Sequence, residues 1–193
     1  MRIGVLALQG AVREHLEALR RCGAEPVAVR LPEEVAECEA LILPGGESTT
    51  IGKLMHRHGL VRPIQELSAA GKPLLGTCAG MILMAKQIES GMEGQPLLGV
   101  MDITVERNAF GRQVDSFEAD LDFKGMEGGP VRAVFICAPV IKSLDDSVET
   151  LATYQGQAVA VRQGNLLALS FHPELTSDLR LHKLFLSLVP GRG

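Results

Sequence analysis

The sequence is poor in aromatic residues: of its 193 residues, six are Phe, one is Tyr and none is Trp. Proteins that bind single-stranded nucleic acid stack bases on aromatic side chains, so this scarcity argues against such a platform. Positive charge is also limited, because 19 Lys and Arg are set against 23 Asp and Glu, for a formal net charge of −4. No basic run stands out. We therefore expect neither nucleic acid nor an anionic membrane as a partner.

Cysteines are few and widely spaced. The four, Cys22, Cys38, Cys78 and Cys137, show no C-x-x-C spacing. This pattern argues against a zinc ribbon and against a dense disulfide framework. No other group of His, Cys, Asp and Glu has the spacing of a metal site, so we expect no bound metal. Scattered cysteines fit a reducing compartment, and we expect a cytoplasmic protein.

Long apolar runs are missing as well. The longest charge-free run, Pro73–Ala85, is too short to span a bilayer. The N-terminal run Ile3–Leu8 is followed by Gln9 and by no small-residue cleavage site, so we interpret it as a strand rather than a signal peptide. The length predicts a single domain that covers residues 1–193.

Apolar runs alternate with amphipathic segments in the first half. The predicted strands are Ile3–Leu8, Pro26–Arg30, Ala40–Leu43 and Pro73–Leu75. Helices are predicted to begin at Val12 and at Val61, and a third helix between them is capped by Ser48 or Thr49. Near-continuous apolar runs are typical of strands buried on both faces. Short loops between alternating strands and helices favour a parallel sheet with helices on both faces.

The second half contains strands with few helices between them. The predicted strands are Val100–Val105, Val131–Cys137, Val148–Tyr154, Ala158–Arg162 and Leu166–Phe171, and a last helix covers Ser177–Val189. Gly156 and Gly164 mark hairpin-like turns. The two halves together predict an α/β fold. We expect a flavodoxin-like, doubly wound, mostly parallel sheet flanked by helices, with extra antiparallel strands in the second half.

A sharp, glycine-bounded turn carries one of the cysteines. The segment Gly76–Gly80, GTCAG, has the G-x-nucleophile-x-G spacing of a nucleophile elbow, with Cys78 in the place of serine. The turn lies between a predicted strand and a predicted helix, so the Cys78 sulfur is expected at a helix N-terminus, which favours the thiolate. The alternative is a buried structural cysteine, because free cysteines are often buried.

A histidine and a glutamate lie two residues apart after the last predicted strand. In Ser170–Glu174, SFHPE, residues two apart on an extended chain point the same way, so Glu174 can reach the imidazole of His172. A carboxylate on one ring nitrogen leaves the other nitrogen free to face a thiol. The alternative is a loop histidine beside a surface glutamate. The remaining histidines are in predicted helices and are interpreted as solvated or satisfied: His15, His56, His58 and His182.

A Pro-Gly-Gly turn follows the third predicted strand. Ligands bind at the carboxyl ends of strands in open α/β sheets, and Pro44–Ser48, PGGES, lies at such an end. We expect the N–H groups of Gly46 and Ala79 to form an oxyanion hole. The alternative is an ordinary turn. The segment is not a phosphate loop, because it lacks the Gly-Lys-Ser/Thr sequence.

A charged block without clear periodicity covers Val105–Leu121, VERNAFGRQVDSFEADL. Its composition predicts a polar, solvated loop. Arg107 and Arg112 are candidates for binding a substrate carboxylate, because a guanidinium group matches a carboxylate in a bidentate fashion.

Several of these motifs resemble one family. GTCAG with FHPE downstream resembles the class I glutamine amidotransferases. LALQGAVREH, LPGGESTT, GTCAGMILMAK, VERNAFGRQVDSFEADL and SFHPELT are similar, within that class, to the glutaminase subunits of pyridoxal 5′-phosphate synthase. The resemblance runs from Ile3 to Leu188. Many amidotransferases have Gln where this chain has Met81, but the pyridoxal branch also carries an aliphatic residue there.

The resemblance implies a role for each matching residue. It makes Cys78 the nucleophile, with His172 and Glu174 completing the triad. It also implies that the glutamine pocket is lined by Gly46, Glu47, Ser48 and Arg107 and closed by the backbone at Ile136 and Cys137. Gln9 and Gly10 would respond to a partner. That partner is a synthase subunit, in a large hetero-oligomer, which receives ammonia derived from L-glutamine. No cofactor is implied for this chain.

One departure leaves two alternatives open. The family usually has FIRAP, whereas this chain has FICAP at Phe135–Pro139, so Cys137 replaces an arginine. The first alternative is a stand-alone cysteine hydrolase or peptidase, against which the Gly-Gly-Glu turn and the charged block argue. The second is a scaffold subunit without catalysis. The intact set of Cys78, His172 and Glu174 argues against it, while the departure at Cys137 keeps it open.

Overall fold

The computed structural model describes residues 2–89, 94–107 and 116–191. The strands are β1 (Arg2–Leu6), β2 (Glu25–Val29), β3 (Ala40–Leu43), β4 (Leu74–Thr77), β5 (Ala85–Glu89), β6 (Met101–Glu106), β7 (Ser116–Leu121), β8 (Val131–Ile136), β9 (Val140–Leu144), β10 (Glu149–Tyr154), β11 (Gln157–Gln163) and β12 (Leu166–Leu169). The helices are α1 (Val12–Arg21), α2 (Pro32–Ala36), α3 (Ser48–Arg57), α4 (Val61–Ala69), α5 (Ala79–Met84) and α6 (Arg180–Ser187), and a 3-10 turn covers Pro173–Leu175.

A seven-stranded sheet with the order β10-β11-β12-β4-β3-β1-β2 forms the centre of the fold. The strands from β12 to β2 pair in parallel, and β11 and β10 extend the sheet in antiparallel fashion. The order of the parallel strands is that of flavodoxin-like folds, in which the chain reverses direction across the sheet between β1 and β3. The predicted fold class is therefore confirmed.

Two apolar cores cover the two faces of this sheet. Successive side chains of a strand point to opposite faces, and β3 and β4 accordingly divide their residues between the cores. Leu41 and Leu74 pack with α2 to α5, β6 and β9 on one face. Ile42 and Leu75 pack with α1, α6 and the β7–β8 hairpin on the other. This burial on both faces explains why the strands appear in the sequence as continuous apolar runs.

Some elements differ from the sequence-based expectation. The predicted polar loop over Val105–Leu121 is wrong at both ends, because β6 continues to Glu106 and Ser116–Leu121 forms β7, paired antiparallel with β8. Alternate residues of β7 turn inward, and Leu121 is buried. The other elements missing from the prediction are α2, β5 and β9. Each is only five residues long, too short to show a clear period.

The cap of α3 also differs from the prediction. Neither Ser48 nor Thr49 caps this helix. Instead, the Glu47 carboxylate accepts hydrogen bonds from the N–H groups of Thr49 (3.2 Å) and Thr50 (2.7 Å). A carboxylate at this position satisfies orphan N–H groups and complements the helix dipole. Among the described residues, no helix has the length and apolar character needed to cross a membrane.

Candidate active site

A cavity of about 370 Å³ opens beyond the carboxyl ends of β3 and β4. This is the edge at which open α/β sheets bind ligands. The structure brings nine of the predicted site residues to its wall, together with Ile82, which the sequence analysis did not single out. The nine residues are Gly46, Glu47, Ser48, Cys78, Ala79, Arg107, Ile136, Cys137 and His172. Glu174 lies behind His172, and Arg112 lies outside the described residues.

Cys78 occupies a tight turn between β4 and α5. Its backbone has φ 49° and ψ −103°, a conformation that few non-glycine residues adopt. A Cβ on Gly76 would lie 2.6 Å from the carbonyl carbon of Gly80, and one on Gly80 would lie 1.9 Å from the Leu43 carbonyl oxygen. Both glycines are therefore required for the chain to turn here. The geometry is that of a nucleophile elbow, as the spacing predicted.

His172 stands beside the Cys78 sulfur and is nearly buried. Its Nδ1 lies 2.7 Å from Glu174 Oε1, and its backbone N–H donates to the carbonyl of Val134 in β8 at 2.8 Å. Burial by itself lowers the pKa of His172, but hydrogen bonds with Cys78 and Glu174 and the negative charge of both partners raise it to about 10. The ring is thus an imidazolium at neutral pH.

Glu174 is buried behind the imidazole. Burial by itself raises the pKa of its carboxyl, while His15 and His172 beside it lower that pKa, so the group is a carboxylate. Oε1 contacts His172, and Oε2 lies 3.3 Å from Nε2 of His15 in α1. The sequence analysis missed His15 as a neighbour of the triad. A signal was present, because His15 lies three residues after Val12 and four before Leu19, on the apolar face of the helix.

Gly45 and Thr77 also contribute to the site, and sequence analysis did not select them. A Cβ on Gly45 would lie 2.3 Å from Cε1 of His172. The hydroxyl of Thr77 accepts a hydrogen bond from the Gly45 N–H at 3.1 Å and contacts Nε2 of His15 at 3.1 Å. The end of β3 is therefore fixed against the end of β4, with no side chain between Gly45 and the imidazole.

The loop after β1 lies against the Gly-Gly turn. Gln9 Oε1 accepts a hydrogen bond from the Glu47 N–H at 2.8 Å. Gly10 has φ +104°, and a Cβ there would lie 1.9 Å from the Gly45 carbonyl oxygen. That carbonyl oxygen accepts the N–H of Ala11 at 3.0 Å. A movement of this loop would therefore be transmitted directly to the cavity wall.

Opposite charges meet at the far end of the cavity. Arg107 contacts Glu47 Oε1 at 3.1 Å and donates to Thr49 Oγ1 (3.1 Å) and Gln95 Oε1 (3.2 Å). Burial by itself raises the pKa of Glu47, but hydrogen bonds from Thr50 and Thr49 and the charge of Arg107 lower it to about 2. Gln95, another residue that the sequence analysis missed, also donates to Ser48 Oγ at 3.0 Å.

The segment after β8 closes the cavity on the remaining side. The Ile136 carbonyl oxygen lies 3.6 Å from the Cys78 sulfur, at the limit of a weak S–H hydrogen bond. Cys137 has φ 44° and is exposed. The Ile136 backbone therefore faces the Cys78 sulfur, while the Cys137 side chain is accessible to solvent. Ala79 begins α5, so its N–H has no acceptor within the helix.

Among residues 2–89, 94–107 and 116–191, no group of three or more His, Cys, Asp and Glu is arranged to hold a metal ion. The polar groups in the cavity include two thiols, a hydroxyl, an imidazole, a carboxylate, a guanidinium group and backbone amides. A nucleophile beside a base, with that base oriented by a carboxylate, is the arrangement required for covalent acyl transfer.

Comparisons with known proteins show what this chain is similar to. The model of the SNO glutamine amidotransferase family matches residues 5–190. A Frankia alni protein named pyridoxal 5′-phosphate synthase subunit PdxT is 55% identical over 192 residues, covering 100% of this chain and 96% of its own. A protein of the same name from Herpetosiphon aurantiacus is 58% identical, covering 97% of this chain and 100% of its own. A crystal structure described as a glutamine amidotransferase superposes with a TM-score of 0.92 at 53% identity, covering 97% and 98% of the two chains.

Proposed function

Because the chain belongs to the SNO glutamine amidotransferase family, we propose that its cavity hydrolyses L-glutamine to glutamate and ammonia through Cys78, His172 and Glu174. The observation that carries this proposal is the contact between these residues: the Cys78 sulfur beside an imidazolium, whose Nδ1 lies 2.7 Å from a buried carboxylate. A positive charge next to a cysteine favours the nucleophilic thiolate.

In the first step, the Cys78 thiolate attacks the side-chain amide carbon of glutamine. The carbonyl oxygen becomes an oxyanion, and the N–H groups of Ala79 and Gly46 are the donors that we assign to it. Such a donor typically contributes about 3 kcal/mol of transition-state stabilisation. The His172 imidazolium then protonates the amide nitrogen, the carbon–nitrogen bond breaks, and ammonia leaves a glutamyl thioester on Cys78.

In the second step, the now neutral His172 takes a proton from water. The resulting hydroxide attacks the thioester carbonyl, the carbon–sulfur bond breaks, and glutamate leaves. The Cys78 thiolate and the His172 imidazolium are restored, so that one water is consumed for each ammonia and glutamate formed. Glu174 stabilises the imidazolium in both charged stages and stays ionised throughout, as the orienting carboxylate does in related triads.

Glu47 and Arg107 give the cavity a substrate preference. The amino-acid end of glutamine carries an ammonium and a carboxylate, and the wall opposite Cys78 carries a carboxylate and a guanidinium group. We assign the substrate ammonium to Glu47 and the substrate carboxylate to Arg107, with Ser48 beside them. The depressed pKa of Glu47 keeps its carboxylate charged at neutral pH. This pairing favours a free amino acid over a peptide, whose termini are blocked.

The ammonia formed in the first step is passed to a partner subunit. The relatives from Frankia alni and Herpetosiphon aurantiacus bear the name of a subunit of pyridoxal 5′-phosphate synthase. We propose that this chain likewise docks on a synthase subunit in a hetero-oligomer and delivers ammonia to it for pyridoxal 5′-phosphate formation. The contact of Gln9 and Gly10 with the Gly45–Glu47 turn supports a mechanism in which docking adjusts the oxyanion hole.

Glutamate release from glutamine by the purified chain, with and without its synthase subunit, tests the proposal. We expect a low rate alone, a large increase with the partner, and no release by Cys78→Ala in either condition. Cys38→Ala is the matched control, because Cys38 is also buried but does not line the cavity. Full activity of Cys78→Ala would contradict the assignment. High partner-independent activity on other amides would favour a stand-alone hydrolase, and an inactive wild type with the partner would favour a scaffold.

A further inference from the structure

Two buried histidines continue the triad away from the cavity. His15 Nδ1 lies 3.0 Å from His182 Nε2, and His15 Nε2 lies 3.1 Å from Thr77 Oγ1 and 3.3 Å from Glu174 Oε2. Both histidine side chains are completely buried. Neither lines the cavity, so neither can touch a substrate there. The contacts run from α6 through α1 to the carboxylate that orients His172.

Both of these rings are neutral at physiological pH. Burial lowers the pKa of His15, although the neighbouring Glu174 partly opposes this effect. Burial and the neighbouring His15 lower the pKa of His182 to about 4. A neutral imidazole carries one N–H and one unprotonated nitrogen. The hydrogen bond between the two rings therefore permits only two arrangements of protons along the chain of contacts.

In the first arrangement His15 carries its proton on Nε2. That N–H then points towards Thr77 Oγ1 and Glu174 Oε2, while His15 Nδ1 accepts a hydrogen bond from the Nε2–H of His182. The His182 Nδ1, which is buried without a partner among the described residues, is then an unprotonated nitrogen. Glu174 Oε2, which accepts no aligned hydrogen bond from the described residues, has an N–H dipole next to it.

In the second arrangement His15 carries its proton on Nδ1 and donates to His182. Its Nε2 lone pair can then accept the Thr77 O–H at 3.1 Å, but it also lies 3.3 Å from a carboxylate oxygen, which is a repulsive contact. His182 must carry its own proton on Nδ1, where it is a buried donor without an acceptor among the described residues. Both consequences are unfavourable in a buried site, where unpaired polar groups are costly. The first arrangement is therefore selected.

We propose that His15 is a positioning residue, whose Nε2–H holds Oε2 of Glu174 in place. His182 fixes the tautomer of His15 by donating its Nε2–H to His15 Nδ1. Holding Oε2 directs Oε1 at Nδ1 of His172, and this in turn directs the other ring nitrogen at Cys78. The proposal concerns the rate of the chemistry and so rests on the proposed glutaminase function. Its structural half, the tautomer of His15, can be tested independently of any activity.

Nitrogen-15 NMR of the histidine rings in the wild-type chain measures the tautomers without a substitution. We expect a neutral His15 protonated on Nε2 and a neutral His182 protonated on Nε2. The His15→Gln and His182→Phe variants assign the two sets of ring signals. A His15 ring protonated on Nδ1 would overturn the proposal, since it would then present a lone pair to Glu174.

Glutaminase kinetics with the synthase subunit test the consequence for catalysis. We expect His15→Phe to lower kcat about 10-fold, with KM for glutamine unchanged, because the buried Oε2 of Glu174 loses the N–H dipole that lies next to it. His15→Gln keeps a donor in the Nε2 position and should recover most of the lost rate. Leu19→Val is the matched control, because Leu19 is equally buried in α1 but lies outside the chain of contacts that ends at Glu174, and it should lower kcat less than about 3-fold.

The pattern among these variants separates a positioning role from a structural one. Equal losses of kcat in His15→Phe and Leu19→Val, following their losses of thermal stability, would overturn the proposal. So would a His15→Gln variant no faster than His15→Phe. An inactive wild type would instead refute the proposed glutaminase function. The NMR tautomer would then decide alone whether His15 holds Glu174.

Discussion

The imidazole of His172 rests directly on the backbone of Gly45, so that even a methyl group added at Gly45 would lie 2.3 Å from its Cε1 and 2.9 Å from its Nδ1. Gly45 does not have a positive φ, so the restriction comes from space alone. The turn that lines the cavity thus also serves as the surface on which the imidazole that we propose as the general base is positioned.

Gly45→Ala should therefore displace the imidazole from the Cys78 sulfur and from Glu174. A misplacement of about 1 Å in a catalytic group can cost on the order of 100-fold in rate, and we expect a loss of kcat of that size, measured as glutamate release with the synthase subunit. Gly4→Ala is the control, because a Cβ there meets Cys38 and Leu41 at 2.8 Å, far from the triad. It should lower stability by about 1–3 kcal/mol yet keep the activity per folded molecule. Equal kcat losses in the two variants would indicate general overpacking.

The Glu47 cap predicts an acid-dependent loss of stability. The folded-state pKa of Glu47 is lowered to about 2 from the ordinary 4.5, so its contribution is present above pH 4.5 and is lost as the pH falls towards 2. Since the side chain is half exposed, we expect Glu47→Gln to cost only about 0.3–1 kcal/mol at pH 7. Urea unfolding at pH 7, 4.5 and 3 should show the difference from wild type shrinking with acidity. The surface variant Glu17→Gln should stay within about 0.5 kcal/mol at each pH.

Alkylation separates the two cysteines that line the cavity. Cys78 is buried but adjoins an imidazolium, whereas Cys137 is exposed. Because the thiolate is the reactive form, we expect iodoacetamide at pH 6 to modify Cys78 before Cys137, as measured by peptide mass spectrometry. His172→Ala should reverse this order, since the charge that favours the thiolate is gone. Faster modification of Cys137 in the wild type would show that exposure, rather than the imidazolium, controls reactivity.

The residues that line the cavity were easier to predict from the sequence than the residues that hold them in place. Cys78, His172 and Glu174 lie in short motifs whose local geometry, a glycine-bounded turn and an extended dipeptide step, is set by neighbours in the chain. His15, Thr77 and Gln95 reach the site through tertiary contacts between residues that are 12 to 167 positions apart in the sequence, which no local period encodes. The same applies to β7, whose inward alternation was hidden by its charged outer face.

Cys137 gives the last prediction, because the resemblance to the family implies an arginine at this position. Its exposed side chain lies at the rim of a cavity that we expect to admit the carboxylate of glutamine. An added cation at this partly solvated position should contribute up to about 1 kcal/mol of attraction, or roughly a 5-fold change in an equilibrium constant. We therefore expect Cys137→Arg to lower KM for glutamine by a factor of about 2–5. It should leave kcat nearly unchanged, because in the described part of the chain the Cys137 side chain makes no hydrogen bond to Cys78, His172 or Glu174. Cys137→Ser is the neutral control and should leave both constants unchanged.

The dependence of KM on salt concentration decides why Cys137→Arg binds glutamine more tightly. An electrostatic gain should fade as ionic strength rises. A gain that persists in high salt would mean that the arginine acts by bracing the strained backbone at φ 44°.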